Sequence, residues 1–263
     1  MRRRDVIIAA DFASAEQTYA FLDQFTGRKP YVKIGMELFY AEGPAIVAQV
    51  KAKGHPVFLD LKLHDIPTTV AKAMASLATL EVDMVNVHAA GTIAMMAAGL
   101  AGATRPDGSR PLVVAVTQLT STDQARLHDE LLIDADLADT VVHYARNAQA
   151  AGLDGVVCSP LEATAIKQAC GPDFLAVTPG IRFAGGDLND QKRVTTPAQA
   201  AALGSDYIVV GRPITAAADP VAAYQRCLAE FEPAEPKVSD PNGSSRAKGV
   251  RPQWLGIEER EMV

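Results

Sequence analysis

Strand-like apolar runs are poor places for charge, so the charged residues inside them are the first candidates for chemistry. The run Phe58-Leu59-Asp60-Leu61-Lys62-Leu63-His64-Asp65 holds three such residues, Asp60, Lys62 and Asp65, in eight positions. Side chains alternate along a strand, so Asp60 and Lys62 share one face and Leu59, Leu61 and Leu63 share the other. Asp11 ends an earlier run and Lys33 lies inside the next one. An ammonium group fixed among carboxylates can stabilise developing negative charge and deliver a proton to it. The competing reading is a structural ion-pair plug, with Asp65 only capping a helix that starts near Pro67. Desolvating five charges from three strands brings stability no evident gain, which favours an active site.

A second group lies late in the chain. One run ends Thr178-Pro179-Gly180-Ile181-Arg182, with Gln191 nine residues on, and another ends Val210-Gly211-Arg212-Pro213-Ile214. Glycine lets backbone N–H groups approach an oxyanion, and arginine offers a planar donor fork, so this pair reads as a phosphate site. The alternative is two surface arginines bridging helices. His88, His64, Thr120 and Ser121 also fall at run ends. His88 reads as a hydrogen-bonded wall residue before a base or ligand, His64 equally well as packing, and Thr120 and Ser121 as hydroxyl or backbone contacts to a ligand.

These groups need a scaffold that brings strand ends together. Eight short β-branched runs start near residues 5, 31, 56, 83, 111, 155, 174 and 207, with Ala-rich stretches of helical period between them. Spread over residues 1–231 they recur about every 29 residues, the size of a βα unit. Near-continuous apolar strands indicate a parallel sheet covered on both faces. No GxGxxG follows the first run, where the sequence is AADFASAEQ, so a dinucleotide fold loses weight. The expected architecture is an α/β fold, a single-domain (β/α)8 TIM barrel over residues 1–231, with its site at the C-terminal ends of the strands. Residues 232–263 contain four prolines and little periodicity, and are expected to form a weakly ordered tail pinned at most by Trp254.

Composition narrows the function. The chain has 263 residues, 48% hydrophobic and 6% aromatic, enough to bury a sizeable core. No apolar run nears the roughly 18 residues that span a bilayer, and no secretory pattern follows Met1-Arg2-Arg3-Arg4, so a cytoplasmic protein without a membrane partner is expected. Three cysteines, Cys158, Cys170 and Cys227, without a CxxC spacing, argue against disulfides and structural zinc and read as small buried apolar residues. A net charge of -6 disfavours a nucleic-acid surface while leaving room for a local anion site. The last 32 residues carry five basic and six acidic side chains, so the acidic balance belongs to the barrel region.

The run Leu59-Asp60-Leu61-Lys62-Leu63-His64-Asp65-Ile66-Pro67-Thr68-Thr69-Val70 resembles the signature of the orotidine 5'-phosphate decarboxylase family. The likeness extends over about residues 5–231, including Asp11, Lys33, Thr178 to Arg182 and Gly211 to Ile214. Thr68 departs from the Asn common in that family, and the tail after Phe231 matches nothing in it. The resemblance implies a cofactor-free, metal-free carboxy-lyase that converts orotidine 5'-phosphate to UMP and CO2. It implies Lys62 as the proton donor to C6, with Asp60 beside the substrate carboxylate. It implies a homodimer with shared sites, in which the partner subunit's Asp65 completes a Lys33–Asp60–Lys62–Asp65 array. Asp11, Lys33 and the partner's Thr69 would hold the ribose, and Thr120 the pyrimidine edge. Gln191 would join base and phosphate, while Arg182, Arg212 and the Gly211 backbone would grip the phosphate. The loop from Arg182 to Gln191, with its Ala184-Gly185-Gly186, is expected to close over that group.

Two other readings compete. A metal-dependent sugar-phosphate decarboxylase or aldolase of the same barrel superfamily would need a cation among Asp11, Asp60, Asp65 and Glu37, which Lys33 and Lys62 would repel. A non-catalytic phosphoribosyl-binding barrel would keep Arg212 and lose the lysine–aspartate array, which is intact here.

Overall fold

The structure, a computed structural model, describes residues 4–184 and 195–232. Eight strands run β1 Asp5–Ala9, β2 Tyr31–Gly35, β3 Val57–Leu63, β4 Met84–His88, β5 Leu112–Val116, β6 Gly155–Val157, β7 Leu175–Thr178 and β8 Tyr207–Val210. Each falls inside one of the runs read from the sequence. All neighbours pair in parallel, and β8 closes on β1 to complete the barrel. The eight-unit (β/α)8 architecture expected from the strand count is the one observed.

Alternation along the strands builds two apolar layers. Ile7, Phe58, Met84, Val114 and Val177 point inward and fill the barrel axis. Their neighbours Val6, Ile8, Leu59, Val85 and Val113 point outward and join the helices in the larger outer layer. Leu61 belongs to that outer layer too, as its position one step from Asp60 requires.

The helical connections are richer than the eight segments expected, for eleven α-helices are present among the described residues. Two connections, β2 to β3 and β5 to β6, and the stretch after β8 hold two each. Between β2 and β3, Gly43 at φ 67° ends helix Met36–Glu42, and Pro44 caps the next, Ala45–Ala52. A left-handed residue followed by proline breaks a continuous apolar period. Helix Thr92–Ala103 packs closely on Pro67–Ala78 because Gly102 has no side chain. A Cβ there would overlap the Ala71 carbonyl.

The N-terminal end of the barrel uses carboxylates for stability. Asp83, Asp154 and Asp206 accept the backbone N–H groups of Val57, Val113 and Ala176 at 2.7, 2.8 and 2.8 Å. Lys51, Arg110 and Lys167 pair with the same three aspartates. This leaves the opposite end for chemistry.

All three cysteines are buried and outside any disulfide, as expected for small apolar residues. Among the described residues no helix is long and apolar enough to cross a membrane. Residues 233–263, with Trp254, lie outside the described residues.

Candidate active site

A cavity of about 230 Å³ opens at the C-terminal ends of the strands, lined by Lys33, Asp60, Lys62, Thr120, Cys158 and Pro179, among others. Its polar wall is an ion chain. Asp11, exposed just beyond β1, accepts from Lys33 Nζ at 3.0 Å. Lys33 Nζ lies 3.4 Å from Asp60 Oδ2. Asp60 Oδ1 accepts from Lys62 Nζ at 2.7 Å. Asp60 is 8% exposed, so its carboxylate answers to these partners more than to water.

The electrostatics oppose burial and overcome it. Burial disfavours the charged form of Asp60, but Lys33, Lys62 and the hydrogen bonds from Lys62 and Asn86 hold its carboxyl below its ordinary range. Burial likewise works against the Lys33 ammonium, and Asp60 and Asp11 raise it above its usual value. Both groups are therefore ionised at neutral pH.

Two features of this wall escape a reading of charges alone. Lys62 adopts φ 51°, a left-handed conformation that costs a non-glycine residue on the order of 1 kcal/mol. It coincides with a register shift between β3 and β4, from Leu59↔Val85 to Leu63↔Val87. The buried Asn86 side chain sits opposite, accepting the Lys62 N–H at 2.8 Å and donating to Asp60 Oδ1 at 2.7 Å. Gly35 is the second feature: a Cβ there would come within 3.1 Å of Lys33 Nζ. The signals were present, an amide on the inward face of an apolar strand and a glycine two residues after a lysine inside a strand.

The other sequence candidates divide. Thr120 and Ser121 line the cavity. Arg182 follows Gly180, which at φ 85° needs glycine, and donates to the Ile181 carbonyl at 2.8 Å. Its N–H donates to Thr195 O at 3.0 Å, which draws residues 182 and 195 together at the base of the β7 connection. Gly211 and the exposed Arg212 start the short helix Arg212–Thr215 directly after β8. Gln191 and most of the loop after Arg182 lie outside the described residues.

Asp65 and Thr69 do not join the array within one chain. Both are exposed, and Asp65 accepts from the Ile66 N–H at 2.6 Å. Helix Pro67–Ala78 takes Ile66 as its N-cap without a side-chain bond, so Asp65 is not its capping residue either. The convergence of five charges read from the sequence is thus a convergence of four in a single chain, because β3 ends at Leu63 and Asp65 lies beyond its alternation.

His88, at the end of β4, lies against His64 with ring centroids 5.5 Å apart. Burial lowers the His88 imidazole from its ordinary value; His64 and Lys62 push the same way, and Asp60 opposes them. Burial also lowers His55, whose Nδ1 is 2.9 Å from the Pro30 carbonyl. A ring held neutral by the fold binds its proton more readily when unfolded. Its stabilisation is full above about pH 6.5 and is lost as pH falls from there toward the depressed folded value. Denaturant midpoints are therefore expected to drop between pH 7 and 5, and less steeply in His88→Gln. An identical slope in that variant would place the effect elsewhere.

Comparison with known proteins agrees with this geometry. Residues 4–227 match the model of the "Orotidine 5'-phosphate decarboxylase / HUMPS family". The chain is 59% identical over 232 residues to a protein of Geobacillus thermodenitrificans named orotidine 5'-phosphate decarboxylase, covering 87% of this chain and 97% of that one. A Bacillus caldolyticus protein of the same name is 57% identical over 238 residues, covering 89% and 98%. The crystal structure of orotidine 5'-phosphate decarboxylase from Lactobacillus acidophilus superposes with a TM-score of 0.78 at 40% identity, covering 88% of this chain and all of that one. With its eight-stranded barrel and its lysine–aspartate array at the strand ends, the chain belongs to the orotidine 5'-phosphate decarboxylase / HUMPS family.

Proposed function

We propose that this protein decarboxylates orotidine 5'-phosphate to UMP and CO2, a step of pyrimidine biosynthesis, in the cytoplasm. The observation that carries the reading is the Lys33–Asp60–Lys62 chain, with Nζ–Oδ distances of 3.4 and 2.7 Å, on the wall of the strand-end cavity. In the reaction the C6–carboxylate bond breaks and CO2 leaves, while the electron pair stays on C6. The orbital lies in the ring plane, so no neighbouring carbonyl delocalises it. Lys62 Nζ supports that charge, gives C6 its proton and is reprotonated from solvent.

Further support comes from the rim. Arg182 and Arg212 follow β7 and β8, where barrels of this kind bind phosphate. A Cβ at Gly211 would meet protein no nearer than Ala9 at 3.7 Å, so packing does not demand glycine there and a close ligand would. Gln191, Thr120, Asp11 and Lys33 complete the substrate contacts in this reading. The two ammonium groups already neutralise the carboxylates a divalent cation would need, which favours chemistry without a metal.

The same reading makes the protein a homodimer that shares its sites. Asp65 and Thr69 flank Ile66, which is 66% exposed, and Tyr40 in the segment after β2 is 71% exposed. Met36 and Ile93, after β2 and β4, are also exposed, so one sector of the rim presents unpartnered apolar side chains beside those two polar ones. A second copy would bury them.

The test is direct. Purified protein mixed with orotidine 5'-phosphate is expected to release CO2 with the absorbance change of UMP formation, undiminished by exhaustive chelation. Orotidine, lacking the phosphate, is expected to react far more slowly, because remote binding lowers the barrel's barrier at C6. No turnover, or a strict requirement for Mg2+, would remove this assignment.

A further inference from the structure

Asn86 occupies an unusual place. It lies on the inward face of β4 and is 1% exposed, and its backbone is held in register with Val114 of β5 on one side. On the other side the ladder to β3 is interrupted, because four residue steps from Leu59 to Leu63 face two from Val85 to Val87. The side chain fills that interruption. Its two hydrogen bonds go to the two central members of the reacting array and to no structural group: Lys62 N–H at 2.8 Å and Asp60 Oδ1 at 2.7 Å.

The chemistry of the amide explains why it is there. An N–H needs an acceptor and a carboxylate needs a donor, and a carboxamide supplies one of each in a single plane. The reversed orientation would set donor against donor and acceptor against acceptor, so the pattern of partners fixes it. An aspartate would repel Asp60, and a serine would be too short to reach both.

We propose that Asn86 is the positioning residue of this centre, holding the Lys62 backbone in its left-handed conformation and aiming the Asp60 carboxylate between Lys33 and Lys62. Resting on the decarboxylase reading, the inference assigns the strain at Lys62 to a specific support. Without that support the Lys62 backbone relaxes toward an ordinary strand conformation, and its Nζ loses its set position 2.7 Å from Asp60 Oδ1. Asn86 acts through its neighbours, since both of its hydrogen bonds go to members of the array.

The experiment compares wild type, N86A and N86D in steady-state decarboxylation from pH 5.5 to 8, with UMP affinity and thermal unfolding measured alongside. N86A is expected to lower kcat about 100-fold, as a misplacement near 1 Å does, while KM and the Kd for UMP stay within about threefold. N86D is expected to show a similar loss at pH 8 and to regain at least about tenfold, relative to wild type, by pH 5.5. Lys33, Lys62, Asp60 and His88 surround the introduced carboxyl, with Asp11 behind Lys33 and His64 behind His88. Burial and the Asp60 charge favour its protonation against the opposing pull of Lys62 and Lys33, and once neutral it again donates to Asp60. A folded N86A with wild-type kcat, a loss confined to KM, or an N86D profile parallel to wild type would each overturn the proposal. So would failure of both variants to fold, which would assign Asn86 to stability alone. Failure of the decarboxylase reading itself appears separately, as a wild type that does not turn over.

Discussion

Lys62→Ala is expected to lower kcat for orotidine 5'-phosphate by roughly five to seven orders of magnitude, with UMP affinity changed only a few-fold. Two losses combine. A unit charge about 4 Å from the developing carbanion contributes roughly 4 kcal/mol at an effective dielectric near 20, or about 10³ in rate. Positioned proton donation contributes about 10² to 10⁴ more. The variant should remain folded, because Asp60 keeps the Asn86 hydrogen bond at 2.7 Å and Lys33 at 3.4 Å. The discriminating contrast is with UMP. Within one chain, Asp11, Lys33, Asp60 and Lys62 sum to zero charge, so losing Lys62 leaves the cavity wall negative. That penalises the substrate carboxylate, raising KM, and spares a product that has no carboxylate. Single-turnover absorbance at high enzyme concentration measures the residual rate. Turnover within tenfold of wild type would remove Lys62 as the proton donor.

The barrel was legible because both faces of its strands are buried, which leaves near-continuous apolar runs such as Val6-Ile7-Ile8 and Val113-Val114-Ala115. The doubled helices were less legible: Gly43 and Pro44 mark one break, but Ala-rich flanks on either side keep the period nearly intact. In the site, Asp60, Lys62 and Lys33 stood out because charge is costly in a strand, and the structure puts them on one wall. Asn86 did not, since an amide carries no charge and reads as an ordinary polar residue. The left-handed backbone of Lys62 was invisible for a deeper reason. It arises where β3 and β4 fall out of register, a relation between residues more than 20 positions apart in the chain. Alternation held from Phe58 to Leu63, where the strand ends, and Asp65 lies beyond it, turned out to solvent and not into the array.

That outward turn makes Asp65 the sharpest probe of assembly. If each site takes its fourth array member from the neighbouring copy, Lys62→Ala and Asp65→Ala damage opposite sides of the same pair of sites. Each homodimer then carries a lesion in both sites and is nearly inactive. A mixed dimer carries both lesions in one site and none in the other, because an isologous two-fold contact exchanges the same residues in both directions. Random reassortment puts about half of the protein in mixed dimers, with one intact site of two, so activity is expected to recover to about a quarter of wild type. The alternative gives a different number. If Asp65 served its own chain's site through a local rearrangement of Leu63 to Ile66, every site in the mixture would keep one lesion and no activity would return. Co-refolding equal amounts of the two variants, with size exclusion to confirm exchange, separates the two outcomes without any estimate of interface strength. Asp65→Asn in place of Asp65→Ala extends the argument to charge: it keeps the shape and the Ile66 N–H contact at 2.6 Å, so loss and recovery with that variant too would trace the shared function to the carboxylate's charge.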